Sequence, residues 1–382
     1  MKIIHVIPSI SVHSGGPIEG VVQLSSILSS LGHEVTVVSC GSSAVDSPLF
    51  HPSVKVLLLG PSYLKYKFSF NLIPWLKDNL HNYDAAIING LWQFPGLALF
   101  IASLNNKIPY FVFTHGMLDP WFKKRYPLKH LKKLIYWNLF EYRILRDAKS
   151  VIFTCKEEGL LAAQSFAKYD VRESICAYGI SPPPSSEAKL AKDFLLKFPN
   201  LINKKLILFM GRIHEKKGCD LLIEAFSSIA DRDSSLHLVI CGPDSSGLMA
   251  QLKLKSIKLK IEDRVTWTGI VVGDLKWGAF YAADIFCLPS HQENFGIVVA
   301  EALACSKPVL ISNKVNIWRE IQACDAGFVE DDTLQGTIQL FENWLNADEI
   351  VRAKMRLNAL KCYKNNFSIS SAASSLLKII TP

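Results

Sequence analysis

The chain has 382 residues, 49% of them hydrophobic and 20% charged, with a formal net charge of +8. That length exceeds one ordinary core and predicts two domains of about 150–200 residues each. The composition excludes a disordered chain, while the mild basic excess admits phosphorylated ligands, nucleic acid or an anionic membrane surface as partners.

Short apolar runs alternate with longer amphipathic stretches, the pattern of βαβ units and parallel sheets. The first half predicts strands at Lys2–Pro8, Glu34–Cys40, Val54–Leu59, Ala85–Asn89, Tyr110–Thr114 and Ser150–Thr154. The N-terminus reads as the first of these and is too short for a signal peptide. A helix is expected from about Pro17 to Ser30, with proline in its first turn and Gly32 at its C-terminal stop. Ser-Pro-Pro-Pro-Ser-Ser at 181–186 reads as a linker. A second series follows, with strands at Lys205–Met210, Leu236–Cys241, Val265–Thr268, Ile285–Pro289 and Pro308–Ser312, and residues 345–382 read as helical. The expected domains are 1–182 and 183–365, with the tail 366–382 crossing back to the first. Each half reads as an open doubly wound sheet, which binds ligands at the carboxyl ends of its strands. Two such sheets facing each other make a cleft.

The nine cysteines are scattered with no C-x-x-C pair, which argues against a zinc cluster or redox motif and fits a reducing cytosol. No apolar run reaches the ~18–20 residues of a membrane-spanning helix. The expectation is a cytoplasmic protein, free or peripheral on the inner face of the plasma membrane. Residues 121–149 concentrate the positive charge, with Tyr126, Tyr136, Trp137, Phe140 and Tyr142 interleaved and Leu131, Leu134, Ile135 and Leu139 at helical spacing. Two readings stay open for this segment. The apolar stripe packs on the domain core, or the helix docks on an anionic membrane leaflet. No nucleic-acid-binding module accompanies the charge.

Four constellations carry chemistry. Gly15-Gly16-Pro17 follows the first strand, where paired glycines let a backbone approach a phosphate at a helix start; the plain alternative is a turn. It is not the G-x-G-x-x-G dinucleotide fingerprint. His115 and Asp119 lie in Thr114-His115-Gly116-Met117-Leu118-Asp119-Pro120-Trp121 at the end of another strand. There the imidazole suits a sugar hydroxyl and the backbone carbonyl a developing positive charge. Asp119 suits an acceptor hydroxyl, or caps the turn before Pro120. In Gly211-Arg212-Ile213-His214-Glu215-Lys216-Lys217-Gly218, the cations Arg212 and Lys217 stand at a strand-to-helix junction as a phosphate clamp. Such a clamp replaces a divalent metal in neutralising a leaving diphosphate, so no metal or other cofactor is expected. Finally, Glu293 and Glu301 lie eight positions apart in Glu293-Asn294-Phe295-Gly296-Ile297-Val298-Val299-Ala300-Glu301. A helix starting near Gly296 would place two acids around an anion-attracting N-terminus formed by Phe295, Gly296 and Ile297. That suits a diphosphate between two hydroxyl-bearing groups, which describes a sugar nucleotide. The plain alternative is a pair of surface glutamates.

Taken in order and at matching strand ends, these four motifs resemble the retaining GT-B glycosyltransferases of family 4, over nearly the whole chain. The His115–Trp121 form resembles the subgroup that builds bacterial polysaccharides on lipid carriers. The resemblance implies an α/β fold of two Rossmann-like domains facing across a cleft, and metal-independent transfer of a hexose from a nucleoside diphosphate. By it, Arg212 and Lys217 hold the diphosphate, Gly15 and Gly16 approach it, and Glu301 holds the ribose. Glu293 with the Asn294–Ile297 backbone holds donor sugar and phosphate, while His115 faces that sugar. His115, Glu293, Arg212 and Lys217 form the implied catalytic set, with Asp119 on the acceptor side. The favoured donor is UDP-glucose and the acceptor a saccharide or lipid-linked saccharide. Three alternatives remain: a GDP-mannose-dependent mannosyltransferase, a sugar-nucleotide epimerase, and a non-catalytic sugar-nucleotide-binding partner subunit.

Overall fold

The computed structural model describes residues 1–11, 16–41, 50–244 and 246–381, excepting the side chains of Phe122 and Lys124. The chain divides into two compact units, Met1–Ser181 with Ser368–Pro382, and Pro182–Phe367.

The first unit holds seven strands: β1 (Lys2–Ile7), β2 (Glu34–Ser39), β3 (Lys55–Leu58), β4 (Ala85–Asn89), β5 (Tyr110–Phe113), β6 (Ser150–Phe153) and β7 (Glu173–Ile175). All pair in parallel, in the order β3-β2-β1-β4-β5-β6-β7. The apolar runs predict this, because a strand covered on both faces needs no polar alternation. Ile4, Val6 and Val38 enter one buried cluster, while Ile3, Ile7, Val35 and Val37 enter another. Successive side chains point to opposite faces, so the two clusters are the two sides of one sheet. The chain order reverses between β1 and β4, the switch point at which open α/β sheets bind ligands.

The helix after β1 spans Gly16–Ser30. Gly32 beyond it has φ +87°, the left-handed conformation that ends helices at glycine. The terminal helix Ile369–Ile380 buries Ala372, Ala373, Leu376 and Ile380 beside Ile18, Val21 and Leu24 of that first helix. Burying Leu376 and Ile380 contributes about 1.5–3 kcal/mol each. The helix begins at a Ser368 cap, whose hydroxyl accepts from the Ser371 amide at 3.2 Å.

The second unit holds β8 (Lys205–Met210), β9 (Leu236–Cys241), β10 (Val265–Gly269), β11 (Ile285–Leu288), β12 (Val309–Ser312) and β13 (Gly327–Glu330), parallel in the order β10-β9-β8-β11-β12-β13. Its switch point lies between β8 and β11. The edge strands β7 and β13 escaped the sequence reading for a physical reason. Glu173-Ser174-Ile175 and Gly327–Glu330 contain no buried residue, so neither shows the apolar run that marks an interior strand.

The basic segment departs from the core-packing reading. It forms the helices Trp121–Arg125 and Pro127–Tyr136, and the latter buries no residue. The core contribution comes from the next turn, through Trp137, Tyr142, Ile144 and Leu145. None of the nine cysteines is in a disulfide. Among the described residues, no helix is long and apolar enough to cross a membrane.

Candidate active site

Two clusters form beyond the carboxyl ends of strands, one in each unit, and that of the second unit lies at its switch point. In the second unit β8 runs into Gly211 and Arg212, and the imidazole of His214 accepts from the Lys216 amide at 3.1 Å, starting a short 3₁₀ turn Glu215–Lys217. Gly218 follows with φ +64°, and a Cβ there would lie 2.1 Å from the Pro289 carbonyl oxygen. Only glycine permits that approach, which presses the loop after β8 against the loop after β11. The His291 amide donates to the Lys216 carbonyl at 2.8 Å and closes the junction.

As a result the Lys217 ammonium meets the Glu293 carboxylate, both largely buried. Glu293 is fixed through its backbone as well: its amide donates to the Lys314 carbonyl at 2.9 Å and its carbonyl accepts from the Asn316 amide at 3.0 Å. Arg212 is exposed beside Lys217. Burial, reinforced by the Arg212 charge, pushes the Lys217 ammonium down to about 8. Two cations held this close favour a polyanion between them.

Gly296 carries φ +74° and caps the helix Ile297–Ala304. A Cβ on it would crowd Val299, Val315 and the Glu293 side chain at 3.2–3.3 Å. Asn294, Phe295, Gly296 and Ile297 therefore form the approach to a helix N-terminus, whose first amides lack intrahelical partners. Glu301 lies one turn into this helix, 5% exposed, and accepts from the Lys276 ammonium at 2.6 Å. Lys276 was not among the residues expected from sequence. It sits early in the helix Asp274–Ala282, distant in sequence and away from a strand end, so no motif marks it.

In the first unit His115 follows β5 with φ +51°. Its ring stacks between Phe113 and Tyr178, with centroids 5.3 and 5.6 Å away, and Nδ1 hydrogen-bonds the Tyr178 hydroxyl. Nε2 is buried with no protein partner. Burial, with nearby His5 adding to it, pushes the imidazole down to about 3, so the ring is neutral at physiological pH. A Cβ on Gly20 would lie 2.8 Å from the Tyr178 ring, so the helix Gly16–Ser30 lies directly against the tyrosine that holds His115. Gly16 opens that helix; Gly15 lies outside the described residues.

The anchor of the His115 loop is Glu158, which the sequence reading also missed. It is 4% exposed. One carboxylate oxygen accepts from Thr114 Oγ1 at 2.5 Å and the Gly116 amide at 2.6 Å. The other accepts from the Thr154 amide at 2.8 Å and its hydroxyl at 2.5 Å. Glu158 thus ties the end of β5 to the end of β6. An acid in the first turn of a helix was visible in sequence, but its partner strand was not. Asp119 accepts from the Trp121 amide at 2.8 Å and so fixes the turn through Pro120.

Among the described residues, no group of three or more His, Cys, Asp or Glu side chains is placed to hold a metal ion. Two family models match the chain. Residues 15–173 match a glycosyl transferase 4-like domain, and residues 194–361 match the glycosyl transferases group 1. A mannosylfructose-phosphate synthase from Agrobacterium fabrum is 34% identical over 123 residues, 31% of this chain and 27% of that protein. A D-inositol 3-phosphate glycosyltransferase from Rhodococcus opacus is 33% identical over 184 residues, 45% of this chain and 40% of that protein. The chain thus spans less than half the length of these curated relatives. A crystal structure of Anabaena HepE with UDP and glucose superposes with TM-score 0.71 at 17% identity, over 99% of this chain and 98% of that one. At that identity the likeness establishes the fold, GT-B, whose two parallel sheets are those described above.

Proposed function

For a chain that belongs to the group 1 glycosyl transferases, we propose the transfer of a hexose from a nucleoside-diphosphate sugar to a saccharide or lipid-linked saccharide in polysaccharide biosynthesis. The observation that carries this reading is the cation pair Arg212 and Lys217 at the β8–β11 switch point, with Glu293 against Lys217. The diphosphate takes the cations and the first amides of the helix Ile297–Ala304. Glu301, held by Lys276, takes the ribose hydroxyls, and Glu293 takes donor-sugar hydroxyls once diphosphate engages its lysine. In the first unit Gly15 and Gly16 take the phosphate side and Asp119 the acceptor side.

The proposed reaction retains anomeric configuration. The bond from the anomeric carbon to the phosphate oxygen breaks, and the acceptor oxygen bonds to the same face. The acceptor proton passes to the departing phosphate oxygen. Arg212 and Lys217 stabilise the charge developing on the diphosphate, so this reading requires no metal ion. Neutral His115 serves through hydrogen bonding and its loop carbonyl and not as a proton donor, because its imidazole stays unprotonated well below neutral pH.

UDP-glucose is the first donor to test, supported by the Anabaena protein's complex with UDP and glucose; GDP-mannose is the second. Thermal-shift titration with UDP, GDP and ADP ranks the base, since a bound ligand stabilises by RT ln(1 + [L]/Kd). Transfer from radiolabelled UDP-glucose to lipid-linked acceptors, with and without chelator, tests the rest. Stabilisation by none of the nucleotides would reject the site. Binding without transfer from any donor would favour a non-catalytic binding subunit.

A further inference from the structure

The helix Pro127–Tyr136 packs with its polarity inverted. The side chains turned to the rest of its unit are His130, Lys133 and Tyr136, three positions apart on one face. His130 stacks on Phe166 at 5.0 Å, Lys133 lies over the Trp92 ring at 4.6 Å, and the Tyr136 hydroxyl meets that of Tyr66 at 2.7 Å. The opposite face carries Leu128, Leu131 and Ile135, with Leu134 at its flank. Leu128 is 79% exposed, Leu131 56%, Ile135 59%, and Leu139 in the next turn 55%. Spacings of three and four place these four in one stripe. Normally the stripe faces the core and the charges face water.

A second element extends the apolar surface. Tyr63 and Phe68 pair across a small turn that holds Tyr66, and Tyr66 joins it to Tyr136. Leu64 at its tip is 85% exposed and Phe70 beside it 70%. Around these apolar groups stand the exposed cations Lys65, Lys123, Arg125, Lys129 and Lys132. Residues 120–140 and 61–70 contain no Asp or Glu. An apolar stripe carried by basic segments without acids fits a partner that is oily within and negative at its surface.

We propose that this face docks on an anionic lipid bilayer, the helix Pro127–Tyr136 lying in the interface with Leu128, Leu131, Ile135 and Leu139 inserted and the lysines among the headgroups. The docking is reversible. It combines a few inserted side chains with about a fivefold affinity factor for each lysine near the surface. It does not depend on which donor the enzyme uses.

The test is sedimentation of the full chain with vesicles of phosphatidylcholine alone or mixed with phosphatidylglycerol. Binding is expected only to the anionic vesicles and is expected to weaken with added salt. Lys129→Gln with Lys132→Gln should lower the partition roughly 30-fold. Leu131→Gln with Ile135→Gln should lower it at least tenfold, about the loss of one inserted side chain. All four residues are exposed, and the thermal shift with nucleotide should be the same in every variant, which shows that the variants fold. Equal binding to neutral vesicles, or full binding by either double variant, would overturn the proposal. So would a dimer in gel filtration that Leu131→Gln with Ile135→Gln dissociates, since the stripe would then be an interface between copies of this chain.

Discussion

Replacing Lys217 by alanine probes the clamp directly. The ammonium is one of two cations at the β8–β11 switch point and contacts the Glu293 carboxylate. A hydrogen bond to a charged group contributes about 1.5–3 kcal/mol, so UDP affinity should fall by about 10- to 150-fold. The loss has a second component, because Glu293 is then left without its ammonium and repels the incoming diphosphate. Glu293→Gln removes that charge. Alone it should leave UDP affinity unchanged or raise it, because UDP carries no sugar for Glu293 to hold. Combined with Lys217→Ala it should recover part of the loss, giving a coupling of about 0.5–3 kcal/mol in a double-mutant cycle. Isothermal titration calorimetry with UDP measures all four corners. Binding of UDP by Lys217→Ala within twofold of wild type, or a loss in Glu293→Gln as large as in Lys217→Ala, would refute the clamp.

Further outcomes follow from the same geometry. With Lys217 ionising near 8, the ligand prefers its protonated form. UDP affinity should therefore be nearly flat from about pH 7, above the phosphate's own ionisation near 6, to about pH 8, and fall by up to about tenfold per pH unit above that, until the lysine's pKa in the complex is reached. Lys217→Arg should flatten the profile, because guanidinium stays charged. Glu158→Ala strands the buried amides of Gly116 and Thr154; at about 1–3 kcal/mol each it should lower the urea midpoint of the first unit and reduce turnover through the misplaced His115. Gly218→Ala sets a Cβ 2.1 Å from the Pro289 carbonyl oxygen at φ +64°; strain and overpacking together cost about 3 kcal/mol or more, read as a lowered melting temperature and weakened UDP binding. Lys276→Met removes the ammonium that meets the Glu301 carboxylate and should lower the melting temperature, and Lys276→Met with Glu301→Leu should largely restore it.

How much of this was legible in the chain depends on whether the signal is local. Lys205–Met210 and Ala85–Asn89 are strands with the expected bounds because interior parallel strands are continuous apolar runs. The helix start at Gly296 was also legible, and with it the relation of Glu293 to Glu301, because a left-handed glycine and the following apolar turn are short-range features. The edge strands β7 and β13 were not legible, since an edge needs no apolar run.

Local sequence sets the strand–helix alternation, the strand ends where His115, Arg212 and Glu293 stand, and the basic, acid-free character of residues 120–140. Tertiary structure alone decided which charges meet. Lys217 and Glu293 are 76 residues apart, and Lys276 and Glu301 come from different helices. Glu158 finds its donors just beyond the ends of two neighbouring strands. Only packing decided that Leu128, Leu131 and Ile135 face outward, because periodicity defines a stripe but not what lies against it. Contacts between residues distant in sequence depend on which strands become neighbours, and strand order is a property of the assembled sheet.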